Sequence, residues 1–219
     1  MTETTPLGAT ARTTLSSLTD RARTDRADLY AVLDGSLVCH LGVLLDGGPM
    51  VLPSTYGRDG DTLYLHGFSR AAHLRAALSG AVSIAVTLVD GIVYARAAVH
   101  CSLNYRSAVI FARPTEVTDS EERLHGLRTI ADHVVPGSWD AMRAATAKEL
   151  DATLVLSVDL TEASVKVRTG FAGDEPADIA AGGVWAGVVP LRQIPGTPQP
   201  APDLLPGIEI PAYVRDREV

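Results

Sequence analysis

Leu63-Tyr-Leu-His-Gly-Phe-Ser-Arg70 reads as a strand that turns a glycine corner into a helix. Gly67 allows close backbone approach, Ser69 supplies a hydroxyl and a candidate N-cap, and Arg70 adds a forked cation. With the unpaired N–H groups of a new helix, these residues can hold a single phosphate. They serve equally well as a plain strand-to-helix corner, and this stretch by itself does not separate the two readings.

Working outward, the flanking text is short apolar runs punctuated by turn residues. Upstream, residues 24–34 predict a helix with Thr24 as N-cap and Gly35 as its stop. Leu37 to Leu45 and Met50 to Ser54 flank Asp46-Gly47-Gly48, a hairpin signal. Arg58-Asp59-Gly60-Asp61 leads in the same way into residues 62–67. Downstream, a helix is expected over 69–78. Three long strands follow at 81–89, 92–100 and 107–117, with Asp90-Gly91 as a hairpin turn between the first two. Helices are predicted at 119–133 and 139–150, where they read either as a lid or as a second interface. Strands return at 152–160 and 163–169. Seven of the thirteen prolines lie from Pro190 onward, which predicts an extended tail.

This order lacks regular βαβ alternation, so a doubly wound parallel sheet is excluded in favour of an antiparallel barrel with peripheral helices. The expected division is a flexible arm over 1–23, one domain over 24–192 and the Pro-rich tail over 193–219. At 219 residues and 46% hydrophobic content, the chain holds a core without staples. A net charge of −7 argues against a sequence-independent nucleic-acid partner, which requires a basic face. No run approaches the roughly 18 apolar residues of a membrane span. Met1-Thr-Glu-Thr-Thr-Pro lacks the basic start of a signal peptide, so a reducing cytoplasm is the expected compartment.

Three further features carry candidate chemistry. His100-Cys-Ser-Leu-Asn-Tyr-Arg-Ser107 places polar residues between apolar strands, with Arg106 suited to a phosphate or carboxylate and Tyr105 to stacking on a ring. Its plainer reading is a hairpin loop. Cys39-His40 and His100-Cys101 invite a metal, but neighbours on a strand point to opposite faces, so no metal site is expected. Cys39 reads as a small core residue. Trp185, after Gly182-Gly183, covers either a pocket or a subunit interface, or plugs the core.

Taken in order, these segments resemble the pyridoxamine 5′-phosphate oxidase-like flavoproteins, the FMN-binding split-barrel family, and within it the nitroimidazole-reductase-like branch. The matching text runs through Cys39-His-Leu-Gly-Val, 53–58, Gly60-Asp-Thr-Leu-Tyr-Leu-His-Gly67, Ser69-Arg70, 86–91, Ser102-Leu-Asn-Tyr-Arg-Ser107, Lys166-Val-Arg-Thr-Gly170 and 185–190. The resemblance implies a six-stranded antiparallel split β-barrel that dimerises with FMN at the two-fold interface. It places His66, Gly67, Ser69 and Arg70 at the flavin phosphate and ribityl chain, with Tyr105, Arg106 and Ser107 approaching from the neighbouring strand. Pro53, Thr55 and Tyr56 would lie near the isoalloxazine, and Trp185 would close the pocket from the partner chain. Cys101 and Ala112 depart from the family pattern beside that site. The C-terminal Arg-x-His signature of true pyridoxamine phosphate oxidases is absent, so vitamin B6 oxidation is not implied.

The leading expectation is therefore an FMN-dependent oxidoreductase acting on a small organic molecule, with His66 or His100 moving a proton. The alternative is a repurposed barrel that binds flavin, haem or a deazaflavin. His40, His66, His73 and His100 are its possible haem ligands.

Overall fold

A computed structural model describes residues 6–217. The strands are β1 (Ala22–Arg23), β2 (Cys39–Leu45), β3 (Gly48–Ser54), β4 (Tyr56–Asp59), β5 (Thr62–Phe68), β6 (Val82–Tyr94), β7 (Ser102–Ala112), β8 (Thr115–Glu116), β9 (Thr153–Asp159), β10 (Ala163–Arg168) and β11 (Gly187–Pro190). The helices are α1 (Arg26–Asp34), α2 (Ala72–Ser79), α3 (Ser120–Val134), α4 (Ala147–Asp151), α5 (Pro176–Ala181) and α6 (Ala212–Arg215). All strand pairs are antiparallel. One sheet runs β1-β10-β7-β6-β2-β3, with β11 also on β6, and a second runs β4-β5-β9-β8. The two sheets do not close on each other, which is the split barrel expected. Leu29, Leu33, Leu41, Leu63, Leu65, Ile84, Ile110 and Leu156 are fully buried in one core shared by both sheets and α1. Among the described residues, no helix is long and apolar enough to cross a membrane.

Local chemistry sets the element ends. Asp46 and Gly47 both take positive φ (51° and 79°), the geometry a two-residue β2–β3 hairpin requires. Helix α1 is capped by Asp25, not Thr24, because the Asp25 carboxylate accepts from the Ala27 amide at 2.8 Å. At α3, Asp119 accepts from the Glu121 and Glu122 amides at 3.1 and 2.9 Å. The single helix expected over 139–150 is instead one helical turn, Trp139–Ala141, and then α4. A capping box between Thr146 and Glu149 starts α4 afresh there.

Two turn predictions fail for one reason. Asp90-Gly91 is not a hairpin: β6 runs straight through it with a bulge. A Cβ at Gly91 would stand 3.1 Å from Val188 and from the Val189 carbonyl, so the glycine admits the passing strand β11. The real turn lies at 95–101, and Asn104, Tyr105, Arg106 and Ser107 sit inside β7 rather than in a loop. The N-terminal arm also differs from expectation. Residues 1–5 lie outside the described residues, but Leu7 is buried in the core and the Gly8 amide donates to the Ala163 carbonyl at 3.0 Å. Arg12 pairs with Glu162, and β1 extends the larger sheet.

Helix α3 lies directly on the smaller sheet. A Cβ at Gly57 of β4 would fall 2.4 Å from the Thr129 carbonyl oxygen, and one at Gly126 of α3 would fall 2.8 Å from the Tyr64 ring. Only the absence of both side chains permits this contact. Gly57→Ala is expected to cost about 1–3 kcal/mol by overpacking against backbone. That corresponds to a melting temperature lower by roughly 2–4 °C per kcal/mol. Gly173→Ala, into open space at ordinary φ, is the control and should change little. An unchanged melting temperature for Gly57→Ala would contradict the backbone contact.

Candidate functional site

The close seating of α3 leaves a cavity beside it. Its volume is about 370 Å³, and Leu127, Ile130, Ala131 and Val134 of α3 form one wall. Trp139, Ala145 and Leu150 form another, and Thr55, His66 and Thr153 line it from the sheet. The lining is apolar apart from a few groups, of which His66 is the most unusual. Its Nδ1 is buried and makes no hydrogen bond. Burial lowers its pKa, so the imidazole is held neutral, the form that ligates a metal. A buried polar atom without a partner carries an energetic penalty, and such positions point to a missing ligand.

Glu149 stands at the edge of this cavity. It accepts from Arg143 at 2.6 and 2.8 Å and from the Thr146 amide at 2.7 Å. Arg143 first, then Thr146, hold its carboxyl well below the usual carboxylate range.

The site residues expected from sequence divide between several places. Thr55 and His66 meet at the cavity. Ser69 and Arg70 follow β5 immediately, but Ser69 does not cap α2, which starts three residues later at Ala72. The Ser69 amide donates to the Ala152 carbonyl at 2.9 Å, so that amide is already engaged. Gly67 serves packing, since a Cβ would lie 2.7 Å from Leu74. Arg70 is exposed and makes no hydrogen bond or ion pair among the described residues. It remains available for an anion. Pro53 is exposed on β3, opposite His40. Tyr56 is wholly buried, donates its hydroxyl to the Leu33 carbonyl at 2.5 Å and stacks against His133, so it faces no ligand.

Tyr105, Arg106 and Ser107 are not on a strand next to β5. Strand β5 pairs with β4 and β9, whereas β7 belongs to the other sheet. There Arg106 forks onto Asp90 at 2.8 and 3.0 Å, in a separate cleft of about 760 Å³ with Ser36, Thr87 and Arg192. Ser107 Oγ donates to the Lys166 carbonyl at 3.4 Å, and Tyr105 pairs across to Val89 and Arg168. His100 lies in the turn before β7, away from the His66 cavity. Trp185 is 65% exposed and meets Tyr94 edge-on, with ring centroids 5.6 Å apart. It stands beside a small cleft lined by Tyr94, Arg96, Phe171, Asp174 and Gly187. Of the four histidines named as possible haem ligands, His66 alone lines this cavity: His40 is exposed on β2 and His73 lies on α2. Cys39 is buried as expected, and burial pushes its thiol up to about 12. Among the described residues, no cluster of three or more His, Cys, Asp or Glu side chains is placed to hold a metal ion.

The α3 wall and Trp139 were not recognised as site residues from the sequence. Their signal was present: Leu127, Ile130, Ala131 and Val134 recur at helical spacing. That pattern says only that a face is covered, not by what.

The profile of the pyridoxamine 5′-phosphate oxidase family matches residues 25–167. The chain belongs to this family. No curated protein sequence matches it at a significant level. Among solved structures, the flavocytochrome Anf3 from Azotobacter vinelandii is 35% identical, with a TM-score of 0.90 over 95% of this chain and 97% of its own. An FAD and haem binding protein from Mycobacterium smegmatis is 37% identical, with a TM-score of 0.85 over 90% of this chain and 96% of its own. A candidate 5-nitroimidazole antibiotic resistance protein from Bacteroides thetaiotaomicron is 23% identical, with a TM-score of 0.58 over 67% of this chain and 86% of its own. That last likeness shows the shared fold.

The neutral state of His66 has a consequence for stability. Its folded pKa lies below the ordinary value of about 6.5, so the unfolded chain takes up the proton first. Stability contributed above about pH 6.5 is therefore lost as pH falls toward the folded value. Melting temperatures of the ligand-free wild type and His66→Leu, measured at pH 7.5 and 5.5, should show the larger acid loss in the wild type. Equal losses would mean that His66 is not held neutral by burial.

Proposed function

We propose that this protein is a flavin- and haem-binding split-barrel protein with oxidoreductase chemistry, and that His66 is the axial ligand of the haem. The observation that carries this reading is the apolar cavity with a neutral imidazole on its lining and a buried nitrogen left unpaired. Two relatives alike over nine-tenths or more of the chain, one a flavocytochrome and one binding FAD and haem, support it. The second of them favours FAD over FMN as the flavin.

The residues fit these groups. The α3 wall supplies an apolar surface for a flat ring and excludes water from it, and His66 supplies one neutral nitrogen donor. Arg70, exposed and uncommitted at the end of β5, offers a bidentate anchor for a flavin phosphate. When bound, a flavin supplies hydride chemistry and haem iron one-electron chemistry, for which the chain provides position and environment.

Arg106 and Trp185 belong to this reading through a homodimer. Leu44, Val51, Phe171 and Trp185 are well exposed, as are Ile194, Leu205 and Ile208 of the tail, and a second copy would take apolar surface of this kind out of water. A second copy covering them brings Trp185 and the Arg106 cleft toward the partner's flavin. The cysteines fit a reducing compartment, both being free.

Absorption spectra of the purified protein, before and after adding FAD, FMN and haemin, test the proposal. Two flavin bands and an intense Soret band are expected, with a light-scattering mass of two chains. His66→Ala should lose or shift the Soret band and keep the flavin bands. Arg70→Ala should do the reverse, weakening flavin binding about ten-fold. A protein that takes up neither cofactor would overturn the reading.

A further inference from the structure

A wider, open chamber of about 930 Å³ adjoins the His66 cavity, and the two share Trp139, Ala145 and Leu150 among their lining residues. Among the residues lining the two chambers, three side chains carry a full charge: Asp140, Arg143 and Glu149. Asp140 is engaged by Arg128 at 3.0 Å. Glu149 is engaged by Arg143 and by both the amide and the hydroxyl of Thr146. Arg143 is the one cation of this lining.

Its guanidinium is only half used. Nη1 and Nη2 donate to the two Glu149 oxygens, and Nη1 also donates to the Ala144 carbonyl at 3.1 Å. Nε donates to no described residue, and the side chain is 70% exposed. A guanidinium has a second forked edge, formed by Nε and the neighbouring Nη, of the same geometry as the edge that Glu149 occupies. Glu149 therefore fixes the plane of the group while leaving that second fork free. Glu149 itself, with four donors on it, presents little unbalanced negative charge to an arriving anion.

Adjoining apolar chambers with an imidazole in one and a half-occupied arginine fork in the other suit a flat apolar ring bearing carboxylates on one edge. Resting on the haem reading above, we propose that Arg143 receives the ring's carboxylates and selects a porphyrin with free propionates over one whose acids are masked. A neutral ester cannot accept a charge-assisted bidentate pair, so it forfeits this contact while keeping the apolar ones.

The test is a Soret titration of the full-length apoprotein with haemin and with haemin dimethyl ester, for wild type, Arg143→Gln and His66→Ala. The wild type should bind haemin about ten-fold more tightly than the diester. Arg143→Gln should abolish that preference and leave the Soret position unchanged, because His66 still ligates. His66→Ala should shift or lose the Soret band with both porphyrins. Equal wild-type affinity for the two porphyrins, or a preference that survives in Arg143→Gln, would overturn the role of Arg143 and leave the haem reading standing. Absence of a Soret band with either porphyrin would overturn both. The Arg143–Glu149 pair is on the surface, so the substitution leaves the fold intact, and an unchanged circular dichroism spectrum verifies it.

Discussion

The contact on which the site depends is the close seating of α3, whose backbone meets the β4 backbone at Gly57 and whose Gly126 admits the Tyr64 and Val155 side chains. A helix held by side chains stands about 8–10 Å from its neighbour. Here the missing Cβ atoms draw it closer at its middle, and the apolar residues of the same face cover a neighbouring space. That space is the cavity, with Ile130 and Val134 above it and the end of β5 below. The depth of His66 and the neutrality of its ring follow from this seating.

How much of this was legible in the sequence depends on how local each signal was. The Asp46-Gly47 hairpin and the start of α3 at Asp119-Ser120 are decided by three or four consecutive residues, and both read directly. Gly91 shows the opposite case. An Asp-Gly pair between apolar runs is the same text whether the glycine turns the chain or lets another strand pass. What distinguishes them is β11, almost a hundred residues away. Gly67 and Tyr56 likewise take their places from packing that their own segment does not spell out, against Leu74 of the next helix and against the Leu33 carbonyl. His66 was singled out through a resemblance, and the structure places it on the cavity lining. Its unpaired nitrogen is a property of the surroundings, which no spacing rule contains.

The separation of the expected site residues into two sheets is itself informative. Arg106 and Ser107 keep their polar atoms engaged with Asp90 and Lys166, and Arg70 is solvent-exposed. In the homodimer proposed above, each chain would then contribute two separate parts of the binding surface. A symmetric pair of chains brings unlike surfaces together twice over, because every contact in an isologous interface occurs in both directions. The resemblance implied a two-fold axis, and the division of residues gives a physical motive for one.

The two walls of the cavity also differ in mechanical character. The α3 wall is a four-turn helix pinned through glycines, while the opposite wall is one helical turn, an irregular stretch and the five residues of α4. Local opening occurs where buried contacts are fewest. For the occupant proposed above, exchange is expected to run through residues 139–146 more than through the barrel. Exchange of the bound group becomes a kinetic property of a short loop, which can be altered without changing how tightly the closed site binds.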